Sequence, residues 1–186
     1  MSHADAEQVE FASRQGWRDW LAANHDSSSG AFVVYFKKSA RVQGPVYEDL
    51  IEEALCFGWI DGTLRPVDDT RTSLYFCPRR KGSVWAASNK ARVERLRAAG
   101  LMTAAGEAAI KRAKDDGSWT ILDRSEALIV PDELAEALAR RPGAREAFDA
   151  LAPGLRKQLI YRVDSAKRPE TRARRAEDMV RTVCGS

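Results

Sequence analysis

The sequence predicts an α+β fold, a small antiparallel sheet flanked by helices and followed by a C-terminal helical module. Three observations carry this reading. The run AFVVYF (31–36) is apolar on both faces and rich in β-formers, as a central buried strand would be. Two further extended segments, 59–67 and 72–77, flank the turn residues Asp68 and Asp69 and read as an antiparallel hairpin. From Ser83 onward the apolar residues recur almost entirely at helical spacing. Mixed elements followed by helices alone divide the chain into an α+β domain over 1–120 and a helical module over 121–186 packed on it.

In order along the chain, residues 1–10 read as a loose polar arm. Phe11, Trp17, Trp20 and Leu21 recur at helical spacing, and the turn-forming stretch Asn24–Gly30 ends that helix. The strand at 31–36 follows, with Lys37 and Lys38 at its end. Leu50, Ala54 and Leu55 mark the inner side of a second helix with acidic residues outward, and Gly58 suits its C-terminal cap. In the strand at 59–67, alternation puts Trp59, Asp61, Thr63, Arg65 and Val67 on one face. Pro78 ends the ladder of the next strand. Ser83 is the expected N-cap of a helix over 84–99, with Trp85 and Asn89 on one face, and Gly100 stops it. A helix from Thr103 to Asp116 comes next, then an irregular stretch at 118–130 with one short extended piece. Helices near 132–141, 144–151, 155–165 and 170–183 complete the chain, with Pro169 in the first turn of the last.

Composition bounds the function. The chain has 186 residues, 44% hydrophobic and 31% charged, an ordinary globular mixture. A net charge of +3 is too small to argue for nucleic acid, which is disfavoured as a partner. Charge is unevenly spread: 46–61 holds Glu48, Asp49, Glu52, Glu53 and Asp61 with no Lys or Arg, whereas 154–175 is dense in both. Cys56, Cys77 and Cys184 form no metal-ligand or disulfide pattern, so no metal and no cofactor is expected. The N-terminus carries no apolar signal region and no apolar run approaches the ~18 residues of a membrane span, so the expected location is cytoplasmic.

The chemistry-bearing residues concentrate between Glu53 and Asn89. Asp61 lies among apolar neighbours, where a carboxylate needs a cation or N–H donors; it reads as a strand-end Asp or as a carboxylate paired with Arg65 that orients an Arg or acts as acid/base. Pro78-Arg79-Arg80-Lys81-Gly82-Ser83 leads into a helix start and reads as an anion site or as a solvated basic loop, with Lys37 and Arg65 joining if the sheet brings them there. Trp59, Trp85 and Asn89 would be its walls, or simply core. Cys56 reads as a core residue, and no GxSxG elbow supports a triad through His25. The run at 167–175 reads as a solvated helix face whose arginines pair with the acidic helix at 48–53, or as a surface for nucleic acid or protein.

Several blocks are familiar: WRDWLAANH (17–25), YFKK (35–38), YEDLIEEALCFGWIDG (47–62), FCPRRKGSVW (76–85), ARVERLRAAGLMTAAG (91–106), DGSW (116–119) and AKRPETRARR (166–175). On these the chain resembles the YdeI/OmpD-associated, or bacteriocin-protection, family. Ala86, Gly154 and Arg162-Val163 depart from that pattern. The resemblance implies a YjbR/CyaY-like N-terminal part, a helical C-terminal module of the family's own, and a role in survival of bacteriocins or cationic antimicrobial peptides. It carries over no catalytic residues.

Three functional expectations follow. The first is a non-enzymatic binding protein that holds a small anionic ligand with Lys37, Arg65, Arg79 and Arg80, organised by Asp61 and walled by Trp59, Trp85 and Asn89. The second is a cofactor-free enzyme on a small metabolite with Asp61 as catalytic acid/base. The third is an adaptor that binds nucleic acid or protein through the basic C-terminal helix. Oligomeric state is open.

Overall fold

The apolar run at 31–36 becomes the strand on which a four-stranded sheet assembles. In this computed structural model, which describes residues 6–40 and 42–185, the strands are β1 (Glu7–Glu10), β2 (Ala31–Phe36), β3 (Trp59–Pro66) and β4 (Arg71–Pro78), in the order β1-β2-β4-β3. The expected hairpin pairs β3 with β4 antiparallel, and β4 pairs antiparallel with β2. The sheet is nonetheless mixed. Residues 7–10 are not a loose arm but a short strand parallel to β2, with Glu7 opposite Ala31 and Glu10 opposite Val34. The rest of the expected arm, residues 1–5, lies outside the described residues.

The helices are α1 (Arg14–Asn24), α2 (Tyr47–Cys56), α3 (Ala87–Ala98), α4 (Ala104–Asp115), α5 (Asp123–Glu126), α6 (Asp132–Ala139), α7 (Ala144–Asp149), α8 (Pro153–Asp164) and α9 (Pro169–Val183). Local chemistry sets their ends. The Ser13 hydroxyl accepts the Gly16 amide at 3.2 Å to cap α1. Thr103 does the same for α4 from Gly106, at 3.4 Å. Pro153 and Pro169 occupy the first turns of α8 and α9, where a missing N–H is harmless. Gly58 leaves α2 at φ 74°, and a Cβ there would lie 2.8 Å from Ala109 Cβ, so both backbone conformation and packing demand glycine. Residues 118–130 hold the one-turn helix α5 and no extended piece among the described elements.

The chain divides into two compact units, Met1–Ser83 with Ser88–Gly117, and Val84–Ala87 with Ser118–Ser186. In the first, Trp17 and Leu21 of α1 and Leu50, Ile51 and Leu55 of α2 are buried with Trp59, Leu74 and Phe76 of the sheet. Trp17 packs on Phe76 with ring centres 5.3 Å apart, and its indole N–H donates to Leu50 O at 3.1 Å. Cys56 is fully buried there, as a core cysteine would be, and burial pushes its thiol up. The second unit has its own core: Leu134, Leu138, Phe148, Ile160, Val163, Met179 and Val180 from α6, α7, α8 and α9.

Candidate functional site

The strand β3 decides the geometry of the site, through a break in its alternation. Trp59, Ile60 and Asp61 pair with Pro78, Cys77 and Phe76, but the register then jumps so that Leu64 pairs with Leu74 and Arg65 with Ser73. The shift reverses the faces. Asp61 shares the face of Phe76, whereas Arg65 faces the other way, its guanidinium 4.2 Å above the Phe32 ring. The expected Asp61–Arg65 pair therefore does not form.

Asp61 instead keeps company with Tyr47 and Arg79. The Tyr47 phenol is raised above its ordinary 10.0 first by partial burial and then by the nearby Asp61 carboxylate. Arg79 is 6% exposed. Burial lowers its guanidinium to about 10, against the opposing pull of Asp61. Its backbone N–H donates to Gly58 O at 3.0 Å and its Nη1 to Ser83 Oγ at 3.3 Å. Ser83 thus does not cap a helix. The helix α3 starts only at Ala87, so Trp85 and Asn89 do not share a helical face.

Asp61 and Arg79 line a crevice with Ile51, Ala54, Leu55, Trp59, Ile60 and Asn89. It is too narrow for a water molecule. Trp59 is a core residue as well as a wall. Its indole N–H donates to His25 O at 3.2 Å, and its ring meets Trp20 edge-on at 5.8 Å. Asn89 Oδ1 accepts from Arg92 at 3.1 Å, and Arg92 forks onto Glu48 at 2.8 and 2.7 Å, which ties α3 to the start of α2.

The other expected ligands are placed elsewhere. Lys37 Nζ donates to the carbonyls of Asp68 and Asp69 at 2.9 and 3.2 Å, so it pins the β3–β4 turn at the opposite end of β4 from Arg79. Trp85 belongs to the second unit, where it is buried 5.0 Å from the Trp119 ring. Arg80 and Lys81 are exposed, as a basic loop requires. Beside them an open groove of about 360 Å³ is lined by Lys81, Arg112, Asp115 and Asp116. Lys111 holds Asp115 at 2.7 Å, and the Gly82 amide donates to Asp116 at 3.0 Å. The groove thus offers two cations and two carboxylates that already have partners.

The acidic helix is also answered differently from expectation. Glu53, 2% exposed, accepts from Arg14 Nε at 2.5 Å and Arg18 Nη1 at 2.6 Å. Glu48 and Glu52 hold Arg92 and Arg95. The arginines of α2's network come from α1 and α3, not from the C-terminal run.

A family model described as a domain of unknown function, DUF8412, matches residues 9–109, more than half of the chain. The chain belongs to the DUF8412 family. A second model, described as bacteriocin-protection, YdeI or OmpD-associated, matches residues 127–183. The resemblance read from the sequence is therefore carried by the C-terminal part, and CFGWIDG lies in the DUF8412 region. No curated protein and no solved structure matches the chain. Among the described residues no helix is long and apolar enough to cross a membrane, and no group of three or more His, Cys, Asp or Glu is placed to hold a metal ion.

Within the DUF8412 region, sequence reasoning missed Tyr47, Arg92 and Arg112. Tyr47 and Arg92 had no local signal, because their partners Asp61 and Glu48 are distant in sequence. Arg112 had one: it recurs four residues before Asp116, on the last turn of a helix whose outer face carries Lys111 and Lys114.

Proposed function

We propose that the chain is a non-enzymatic binding protein of the bacteriocin-protection type, which takes a small anionic ligand at the 78–83 loop. The observation that carries this is the open groove beside that loop, in which Lys81 and Arg112 face solvent while both lining carboxylates are engaged. Arg80 adds a third exposed cation, and Arg79, buried against Asp61, holds the base of the loop. Two exposed loop cations with Arg112 of α4 beside them suit a phosphate or carboxylate group.

A binding role is favoured over catalysis because Asp61 sits in a crevice too narrow for water, with Tyr47 and Arg79 as its partners. The C-terminal match to the bacteriocin-protection model supports the biological side of the reading. A YjbR/CyaY-like first unit is part of the same reading, supported by a small sheet with α1 packed on one face. So is a cytoplasmic location, in keeping with three free cysteines.

Titration calorimetry with inorganic phosphate tests the site. Lys81→Ala with Arg112→Ala should weaken phosphate binding at least tenfold, since each charge-assisted contact is worth about 1.5–3 kcal/mol. Equal binding in wild type and double variant, or none in wild type, would overturn the site. Survival of a host under bacteriocin challenge, with and without the double variant, tests the biological role.

A further inference from the structure

The basic run around the start of α9 is not used by the reading above. Its expected partners on α2 are taken by Arg14, Arg18, Arg92 and Arg95. Within the second unit, Arg172 lies 2.7 Å from Glu133, and Arg175 Nη1 donates to Arg162 O at 2.7 Å and Ser165 Oγ at 3.2 Å. Arg172 thus ties α9 to α6, and Arg175 pins the corner between α8 and α9. Arg162, Lys167, Arg168 and Arg174 are exposed, and none has an ion-pair partner among the described residues.

The nearby carboxylates do not neutralise them. Asp164 is held by Arg124 at 3.3 Å, Glu177 by Arg140 at 3.0 Å, and Asp178 by Arg181. Glu170 is the remaining acid of residues 162–178, and it has no ion pair among the described residues. The apolar side of α9, with Ala176, Met179 and Val180, is buried. None of the exposed large hydrophobic residues falls within 162–178.

We propose that the α8–α9 corner binds nucleic acid through its phosphate backbone, without reading bases. Charge without an apolar anchor argues for this partner. Protein partners are held mainly by buried aromatic and aliphatic anchors, which the corner does not offer. A repeating phosphate chain needs only spaced, extended cations, and releases counterions when they bind. Four cations on two adjoining helix ends, with one unengaged carboxylate, supply that. No aromatic side chain falls within 162–178, and Tyr161 just before it is half-buried, so the corner offers no exposed stacking platform and hence no sequence preference.

The test is fluorescence anisotropy of a labelled DNA duplex with the full chain over a range of salt. Four phosphate contacts predict a slope of log K against log salt of about −3.6, a loss on the order of 100-fold between 50 and 200 mM. Arg168→Gln with Arg174→Gln should halve that slope to about −1.8, with a matching loss of affinity at low salt. Both substitutions are at exposed positions, and circular dichroism checks that the double variant is folded. Lys81→Ala with Arg112→Ala should leave duplex binding unchanged, which separates this site from the groove in the first unit. The proposal is overturned by no binding at low salt, or by full binding in the Arg168/Arg174 variant. Loss of binding in the Lys81/Arg112 variant, a strong preference between duplex sequences, or equally tight binding of a poly-glutamate peptide would overturn it too.

Discussion

Replacing Glu53 by Gln keeps the shape of the side chain and removes only its charge, so it isolates what the buried carboxylate contributes to the first unit. Glu53 is 2% exposed and accepts from both Arg14 and Arg18. Removing one partner of a fully buried ion pair destabilises by about 3–5 kcal/mol. Here that figure is an upper bound, because the two arginine side chains are 33% and 24% exposed. Each also keeps another acceptor: Arg14 retains Asp49 and Glu52, and Arg18 retains Leu101 O at 2.8 Å. Whichever way the Gln amide turns, its –NH2 would face one arginine donor while its oxygen accepts from the other. A loss of roughly 2–3 kcal/mol results from discounting for exposure and retained contacts. Urea unfolding of Glu53→Gln, Arg18→Met and the double variant measures it, and the double variant should be at least 1 kcal/mol more stable than additivity predicts, roughly. The reasoning is refuted if Glu53→Gln loses under about 0.5 kcal/mol, the scale of an ordinary surface change.

Three further outcomes follow from the packing and the charges. A Cβ at Gly106 would collide with the Cys56 carbonyl and lie 2.8 Å from Met102 Cε, so Gly106→Ala should destabilise by about 1–3 kcal/mol in thermal melts despite the gain in helix propensity. Glu48 and Glu107 are held below their ordinary 4.5, chiefly by hydrogen bonds from Arg92 and Arg97. A depressed carboxylate contributes stability that is present above its unfolded pKa and lost as pH falls through its folded one. Unfolding free energy should therefore hold steady near neutrality and decline below about pH 4.5, less steeply in Glu48→Gln. Asp61→Asn should bring the Tyr47 phenol down in an ultraviolet titration, whereas Arg65→Ala should leave it unmoved and remove only the Phe32 contact, about 0.5–1 kcal/mol.

Elements with a local signature were legible in the sequence. AFVVYF, the hairpin at Asp68-Asp69, the Gly58 stop and the Pro169 start each depend on a few adjacent residues, and each is found in place. The misreadings were non-local. Residues 7–10 contain one apolar side chain, and only pairing with β2 makes them a strand. The bulge after Asp61 inverts the facing of Arg65, and nothing in Gly62-Thr63 announces it beyond one glycine. Trp85 read as helical by its spacing to Asn89, yet the turn at Lys81-Gly82 delays α3 to Ala87. In the candidate site, Asp61 and Arg79 were legible as an unusual carboxylate and a dense basic loop. Which cations meet which carboxylates was not, because long charged side chains choose partners by proximity in the fold.

The short strand β1 has a consequence for how the chain behaves outside its native fold. It lies against the outer side of β2, whose other side is taken by β4. A chain beginning at residue 11 would leave the backbone N–H and C=O groups along that side of residues 31–34 without their ladder. An uncharged, β-prone run with open hydrogen-bonding groups is a template for self-association. Glu7-Gln8-Val9-Glu10, two of them acidic, thus act as a guard against aggregation, closing the strand while placing two carboxylates where another chain would have to dock.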